Sequence, residues 1–255
     1  MSKRFESKVV LVTGGTSGLG LDAVRAFARE GAKVVFSGRN VQAGNEIAAE
    51  VKKAQGEATF VRADVSQVAD VESMVKACVA TYGGLDCAFN NAGFDGTLMT
   101  LMADYKKEVW DEVIATNLTG TFLCMKYEIP EMLKRGGGSI VNMSAVAGLR
   151  AGRRVGAAYN ASKHGIIGLT QSGAVEYADR GIRVNAVCPA MIRTPMSDKT
   201  FLKDEAMMQR AVSMHPVGRI GRPEEVSSLV LWLCSDDAGF VTGTAVPIDG
   251  GFLLV

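Results

Sequence analysis

The sequence predicts an α/β fold: a mostly parallel, doubly wound sheet with helices on both faces. Two observations predict it. Short β-branched runs alternate with longer segments of helical period along most of the chain, the rhythm of repeated strand–helix units. The strand-like runs are continuously apolar instead of alternating, as strands must be when both faces of their sheet are covered. Size permits this, because 255 residues that are 47% hydrophobic and 22% charged can bury a substantial core and are expected to form one domain.

The first three units are residues 9–13 then 19–29, 33–37 then 41–54, and 58–62 then 68–82. A strand at 85–90, a helix from 104 to 127, a strand at 139–143, a helix from 157 to 178 and a strand at 182–187 continue the pattern. Residues 190–215 break it: strand signals are few, methionines many, and Pro189 and Pro195 punctuate the run. This segment is expected to form a lid. Pro223 suits the first turn of a helix reaching Cys234, and residues 245–248 suit a last strand before the Gly250-Gly251 turn.

Composition excludes several function classes. A net charge of +1 with no Lys/Arg block gives no electrostatic footprint for a phosphate backbone, so no nucleic-acid partner is expected. The apolar run 9–12 is too short for a signal segment or a membrane span. Five scattered cysteines (Cys78, Cys87, Cys124, Cys188, Cys234) form no CxxC pair and read as small core residues of a reducing compartment, so a cytoplasmic location is expected. His164 and His215 lie far apart with no clustered carboxylate or cysteine, and no metal is expected.

The run Val12-Thr13-Gly14-Gly15-Thr16-Ser17-Gly18-Leu19-Gly20 follows the first strand and opens the first helix. Glycines there let the backbone turn tightly and approach a pyrophosphate, whose charge meets amide N–H groups and the positive end of the helix dipole. No Lys-Ser/Thr pair follows the glycines, so a dinucleotide is preferred over ATP. An NAD-binding chain would carry an acidic residue at the end of the second strand to hold the ribose 2′-hydroxyl. This chain has Gly38 and then Arg39, which avoids repelling a 2′-phosphate and supplies a guanidinium to pair with it. NADP(H) is therefore preferred over NAD(H), the alternative being that Arg39 is a solvated loop cation. Thr16, where a second basic residue would help, adds nothing to the NADP case.

Tyr159 and Lys163 lie four apart in a helical stretch and project from one helix face. A phenol is a poor acid–base group near neutral pH, but a neighbouring ammonium and a cationic nicotinamide would stabilise its phenolate. Ser144 falls just past an apolar strand, as do Asn90, Asn91 and Gly93. In a doubly wound sheet, ligands gather at the carboxyl ends of strands. Ser144 can hydrogen-bond a substrate oxygen there, and without a G-x-S-x-G run it does not read as a hydrolase nucleophile. Asn117 interrupts the apolar stripe Trp110, Val113, Ile114, Leu118, Thr121, Phe122 and Met125. As a buried amide it needs partners, either backbone groups at a helix irregularity or also a water that passes protons. Arg150, Arg153 and Arg154 suit an exposed charged loop, the alternative being an attractor for an anionic substrate.

With these residues together, the chain resembles the short-chain dehydrogenase/reductase family from Thr13 to Gly251. The matching residues are Thr13-Gly14-x3-Gly18-x-Gly20, Asp64-Val65, Asn90-Asn91-Ala92-Gly93, Asn117, Ser144, Tyr159-x3-Lys163, Asn185-Ala186-Val187-Cys188-Pro189 and Asp249-Gly250-Gly251. The resemblance implies a seven-stranded parallel sheet of the Rossmann type. It implies Tyr159 as acid–base group, Ser144 orienting the carbonyl, Lys163 on the nicotinamide ribose and Asn117 in a proton relay.

By the same likeness Gly14, Thr16, Ser17, Gly18, Leu19 and Gly20 cradle the cofactor, Asp64 and Val65 meet the adenine, and Asn91, Ala92 and Gly93 line its cleft. Pro189, Ile192 and Thr194 contact the nicotinamide end, and the Gly38-Arg39 pair resembles NADP-preferring members. Ala190 stands where many members have glycine. Members are commonly homotetramers, and Ala161, Gly165, Gly168 and Ser172 make one helix face able to approach a neighbour closely or to pack internally. The expected activity is hydride transfer between NADP(H) and a ketone or secondary alcohol. Alternatives are a 3-oxoacyl thioester reductase, an NAD-dependent alcohol or sugar dehydrogenase, and a nucleotide-sensing binding protein.

Overall fold

The computed structural model describes residues 3–152, 155–200 and 202–255; Arg153 and Arg154 lie outside the described residues. Seven strands, β1 (Val9–Val12), β2 (Lys33–Gly38), β3 (Glu57–Arg62), β4 (Cys87–Asn90), β5 (Gly138–Met143), β6 (Ile182–Pro189) and β7 (Ala245–Ile248), form one sheet in the order β3-β2-β1-β4-β5-β6-β7. Every pairing is parallel. The order runs outward in both directions from the β1/β4 pair, so the connections leaving those two strands part to opposite faces and leave a crevice at their carboxyl ends.

Period-two alternation divides the core. Val10, Val12, Val34 and Phe36 join α1 (Gly18–Arg29), α2 (Val41–Lys53) and α9 (Pro223–Cys234) on one face, with Phe27 and Val230 fully buried. Val9, Leu11, Val35, Ile140 and Val184 join α3 (Val68–Tyr82), α5 (Gly120–Lys134) and α6 (Ala157–Tyr177) on the other. Both sets are apolar because both are covered, which is why these strands read as unbroken hydrophobic runs. All five cysteines are buried free thiols. Among the described residues no helix is long and apolar enough to cross a membrane.

Two segments differ from expectation. The helix expected over 104–127 starts as α4 (Lys107–Val113), passes through a π-helical stretch at Ile114–Thr119 and continues as α5 to Lys134. Pro130 lies inside α5, yet Ile129 and Met132 stay buried on either side of it, and their packing outweighs the lost backbone hydrogen bond. Within 190–215 the chain folds into α7 (Pro195–Thr200) and α8 (Glu205–Ser213), the latter capped by Asp204, whose side chain accepts from Met207 N at 2.8 Å.

Candidate active site

The carboxyl ends of the central strands open on a cleft of 1390 Å³. Its floor is the loop between β1 and α1, where Gly14 and Gly18 take left-handed φ values of +65° and +54° that side chains rarely adopt. Gly20 lies behind the wall: a Cβ there would overlap the Gly14 carbonyl oxygen. Thr13 and Asn91 lock this loop to the end of β4. Thr13 Oγ1 accepts from the backbone N–H groups of Asn91 and Ala92 at 2.9 and 3.0 Å, while Asn91 Nδ2 donates to Thr13 O at 3.0 Å.

Ser17 begins α1 without closing its first turn by a side-chain hydrogen bond, and that turn holds no acidic residue. The helix therefore presents uncapped amides and its positive end to the cleft, a fit for a pyrophosphate. At the far end, Arg39 extends into solvent with 77% of its side chain exposed, its guanidinium 4.0 Å from Asp64 Oδ2. Burial would raise the Asp64 carboxyl, but hydrogen bonds from the Ser66 hydroxyl and amide, with Arg39 and Arg62, hold it below the usual range.

The opposite side of the cleft combines β5 and α6. Lys163 is 4% exposed; its Nζ donates to Met143 O at 2.9 Å and lies 5.3 Å from the centre of the Tyr159 ring. Burial brings the Lys163 ammonium down to about 8, against the pull of Asp95 and Cys188. The same burial, aided by Asp95 and Cys188, pushes the Tyr159 phenol up. Thus the protein's own groups do not favour a phenolate at neutral pH. Ser144 donates its hydroxyl to Lys163 O at 2.8 Å, and Gly148 leaves it room, since a Cβ there would overlap Ser144 Oγ.

Asn117 is fully buried in the π-helical stretch, outside the cleft wall. Its Oδ1 accepts from Phe94 N at 3.0 Å, and its Nδ2 donates to Phe94 O at 3.0 Å and Ser162 Oγ at 3.2 Å. It thus clamps the β4 loop to α6. A Cβ on Gly93 would come within 3.0 Å of Asn117 Oδ1 and 3.7 Å of Lys163 Nζ, so glycine keeps the space between those groups free. All other expected cofactor-binding residues, Gly14, Thr16, Ser17, Gly18, Leu19, Arg39, Asp64, Val65, Asn91, Ala92, Gly93, Pro189, Ile192 and Thr194, line the cleft with Ser144, Tyr159 and Lys163.

Several residues of this region fall in stretches 94–99 and 191–215, which the sequence places around the substrate without giving any one side chain a role. Asp95 lines the cleft beside Tyr159 and Lys163; an acidic residue in the short stretch after Asn91-Ala92-Gly93 was the available clue. Lys199, Lys203 and Arg210 line it from α7, α8 and the turn between them. His215 is buried: Nδ1 bonds Ala211 O at 2.6 Å, and Nε2 accepts from Met191 N at 3.4 Å, which requires the Nδ1–H tautomer. It pins the chain leaving β6 to the end of α8. Arg150 bonds the main-chain oxygens of Phe252, Leu253 and Val255, which ties its loop to the last turn of the chain. Gly165 packs against Leu118, whereas a Cβ on Gly168 would meet nothing and Ala161 and Ser172 are exposed.

A protein-family model described as enoyl-(acyl carrier protein) reductase matches residues 14–253. Cyclohexanol dehydrogenase of Acinetobacter sp. (strain SE19) is 41% identical over 252 residues, covering 99% of this chain and 97% of the relative. A 2,5-dichloro-2,5-cyclohexadiene-1,4-diol dehydrogenase of Sphingobium indicum is 40% identical, covering 98% of this chain and 99% of the relative. The crystal structure of levodione reductase superimposes with a TM-score of 0.92 at 38% identity, covering 97% of this chain and 98% of that one.

Proposed function

The chain belongs to the short-chain dehydrogenase/reductase family, and from that premise we propose that it moves a hydride between NADP(H) and a ketone or secondary alcohol, with Tyr159 as the acid–base group. The observation that carries this reading is a single cleft lined by Ser144, Tyr159 and Lys163 together with the glycine loop. The cyclohexanol dehydrogenase relative supports a cyclic alcohol or ketone as substrate.

Gly14, Thr16, Ser17, Gly18 and Leu19, with Gly20 behind them, would hold the pyrophosphate, and Asp64 and Val65 the adenine. Arg39 would pair with the 2′-phosphate, since among the described residues its ion pair is a long one to Asp64 and no carboxylate stands at Gly38. Asn91, Ala92, Gly93, Pro189, Ile192 and Thr194 would line the nicotinamide half. When bound, the nicotinamide supplies or accepts the hydride. Ser144 turns its hydroxyl from Lys163 O to the substrate oxygen. Tyr159 gives that oxygen its proton in reduction and takes one back in oxidation. Lys163 opposes the cost of phenolate formation with its ammonium. The space kept open by Gly93 lets a proton reach Tyr159 from the Asn117 side by way of Lys163, the relay we assign to Asn117.

Tyr159→Phe tests the assignment: NADPH oxidation by cyclohexanone should fall by about a hundredfold or more, while NADPH fluorescence on binding persists. Near-normal turnover would overturn it. Lys199, Lys203 and Arg210 in the cleft favour a second reading, a 3-oxoacyl thioester reductase, whose phosphate-bearing carrier they would attract. Acetoacetyl thioester reduction far outpacing cyclohexanone reduction would select it.

We further propose one domain with 190–215 as the lid over the substrate, a cytoplasmic location suited to five free thiols, and a homotetramer. The exposed Ala161, Gly168, Ser172 and Val175 of α6 supply a face for close approach. A monomer in sedimentation velocity would exclude the tetramer, and recovery of the protein in a secreted fraction would exclude the location.

A further inference from the structure

We propose that Asp95 is a specificity-determining residue: its carboxylate accepts a hydrogen bond from a second hydroxyl of the substrate, so that diols and hydroxyketones are preferred over alcohols and ketones with one oxygen. The proposal rests on reading the cleft as that of a carbonyl/alcohol oxidoreductase.

Asp95 lies on the cleft wall within electrostatic reach of Tyr159 and Lys163. The loop that carries it is fixed on both sides. Before it, Phe94 is held through its N–H and its C=O by Asn117, each at 3.0 Å. After it, Gly96 takes a φ of +68° against Val113 and Tyr105, and Thr97 N donates to the Tyr105 hydroxyl at 3.2 Å. The carboxylate is thereby presented to the cleft before any ligand arrives, which keeps the ordering cost of recognition low.

Among the described residues no hydrogen bond or ion pair engages the Asp95 carboxylate. Burial raises it above the usual range, and Lys163 only partly offsets this. Asp95 is half-buried on the open cleft, so a ligand that seals this part of the cleft strips solvent from the carboxylate and must supply a donor in its place.

The surroundings select the kind of donor. A carboxylate repels anions at this point of the cleft. Lys163, with Lys199, Lys203 and Arg210 facing the same space, disfavours an ammonium. A neutral hydroxyl meets neither objection. Phe94, Leu98, Met99, Val146 and Val155 supply apolar walls nearby, suited to a hydrocarbon skeleton carrying one reacting oxygen and one further hydroxyl.

The test compares kcat/KM with NADP+ for cyclohexanol and for the 1,2-, 1,3- and 1,4-cyclohexanediols. The wild-type protein should prefer one or more of the diols over cyclohexanol by about tenfold or more, the range expected when a ligand covers a charged acceptor without pairing it. Asp95→Leu should abolish that ratio, and Asp95→Asn, whose amide oxygen still accepts, should keep part of it. Thermal melting and NADPH binding check that each variant is folded, and the wild-type ratio stands without any variant. Turnover of cyclohexanol with no preference for a diol, a ratio untouched by Asp95→Leu, or a preference for trans-4-aminocyclohexanol over the diols would overturn this proposal and leave the oxidoreductase reading intact. Failure to turn over any alcohol or ketone would overturn that reading and this one with it.

Discussion

Replacing Glu128 by glutamine should remove a loss of stability that the wild-type protein suffers as pH rises. Glu128 sits on α5 wholly enclosed. Asn90 Nδ2 donates to its Oε2 at 3.0 Å, and Oε1 has no partner among the described residues. Asn90 on β4 also bonds Asn142 on β5 at 3.1 Å, and the thiols of Cys78 on α3 and Cys124 on α5 feel the Glu128 charge. Burial pushes the carboxyl from its ordinary 4.5 to about 8, against the Asn90 bond.

The native state thus keeps a proton that the unfolded chain releases near its ordinary value. Stability rises with pH where the unfolded state binds more protons and falls where the native state does. For Glu128 it is fully present below about pH 4.5 and lost progressively up to about 8. At roughly 1.4 kcal/mol per unit, that separation is worth about 5 kcal/mol above pH 8, an upper figure that relaxation and internal water reduce. Urea unfolding followed by circular dichroism at pH 5, 7 and 9 measures it, because groups common to both proteins cancel in the difference. The advantage of Glu128→Gln over wild type should widen by about 2–4 kcal/mol across that range. Parallel pH curves for the two proteins would refute the reasoning.

Two further outcomes concern the cofactor cleft. Arg39→Ser should raise KM for NADPH by about tenfold or more, the loss of one charge-assisted contact, while KM for NADH stays nearly constant; equal shifts for both would assign Arg39 to solvent. Gly20→Ala forces a methyl group into the Gly14 carbonyl and Asn91 Nδ2, and should cost about 1–3 kcal/mol of stability together with NADPH affinity. An unchanged melting temperature would show that the glycine loop can move aside.

Some of this molecule follows from neighbours in the chain. A strand buried on both faces must be apolar at every position, as Val9–Val12 is, and a helix must repeat its apolar residues every third or fourth position. These rules act over one or two turns, so the alternation of elements and the placement of the glycine loop and Tyr159 and Lys163 were legible. Helix ends were less so. The helix expected to end at 127 runs on through Pro130 to Lys134, held by the buried Ile129 and Met132.

Tertiary structure alone decided the environment of each polar group. Asn117 stood out in the sequence, but its partners at Phe94 and Ser162 lie 23 and 45 residues away. Ser144 meets the Lys163 carbonyl, Arg150 the C-terminal carbonyls, and His215 the chain after β6, each through contacts that no local pattern encodes. Glu128 is enclosed only because α5 packs on β4. Asp95 belongs to a stretch whose shape is set only when Asn117 and Tyr105 fix its loop against the cleft. Secondary structure is set by steric and hydrophobic rules acting between near neighbours. Burial, hydrogen-bond partners and proton affinity depend on which distant segments close around a side chain, and those are fixed only when the sheet assembles.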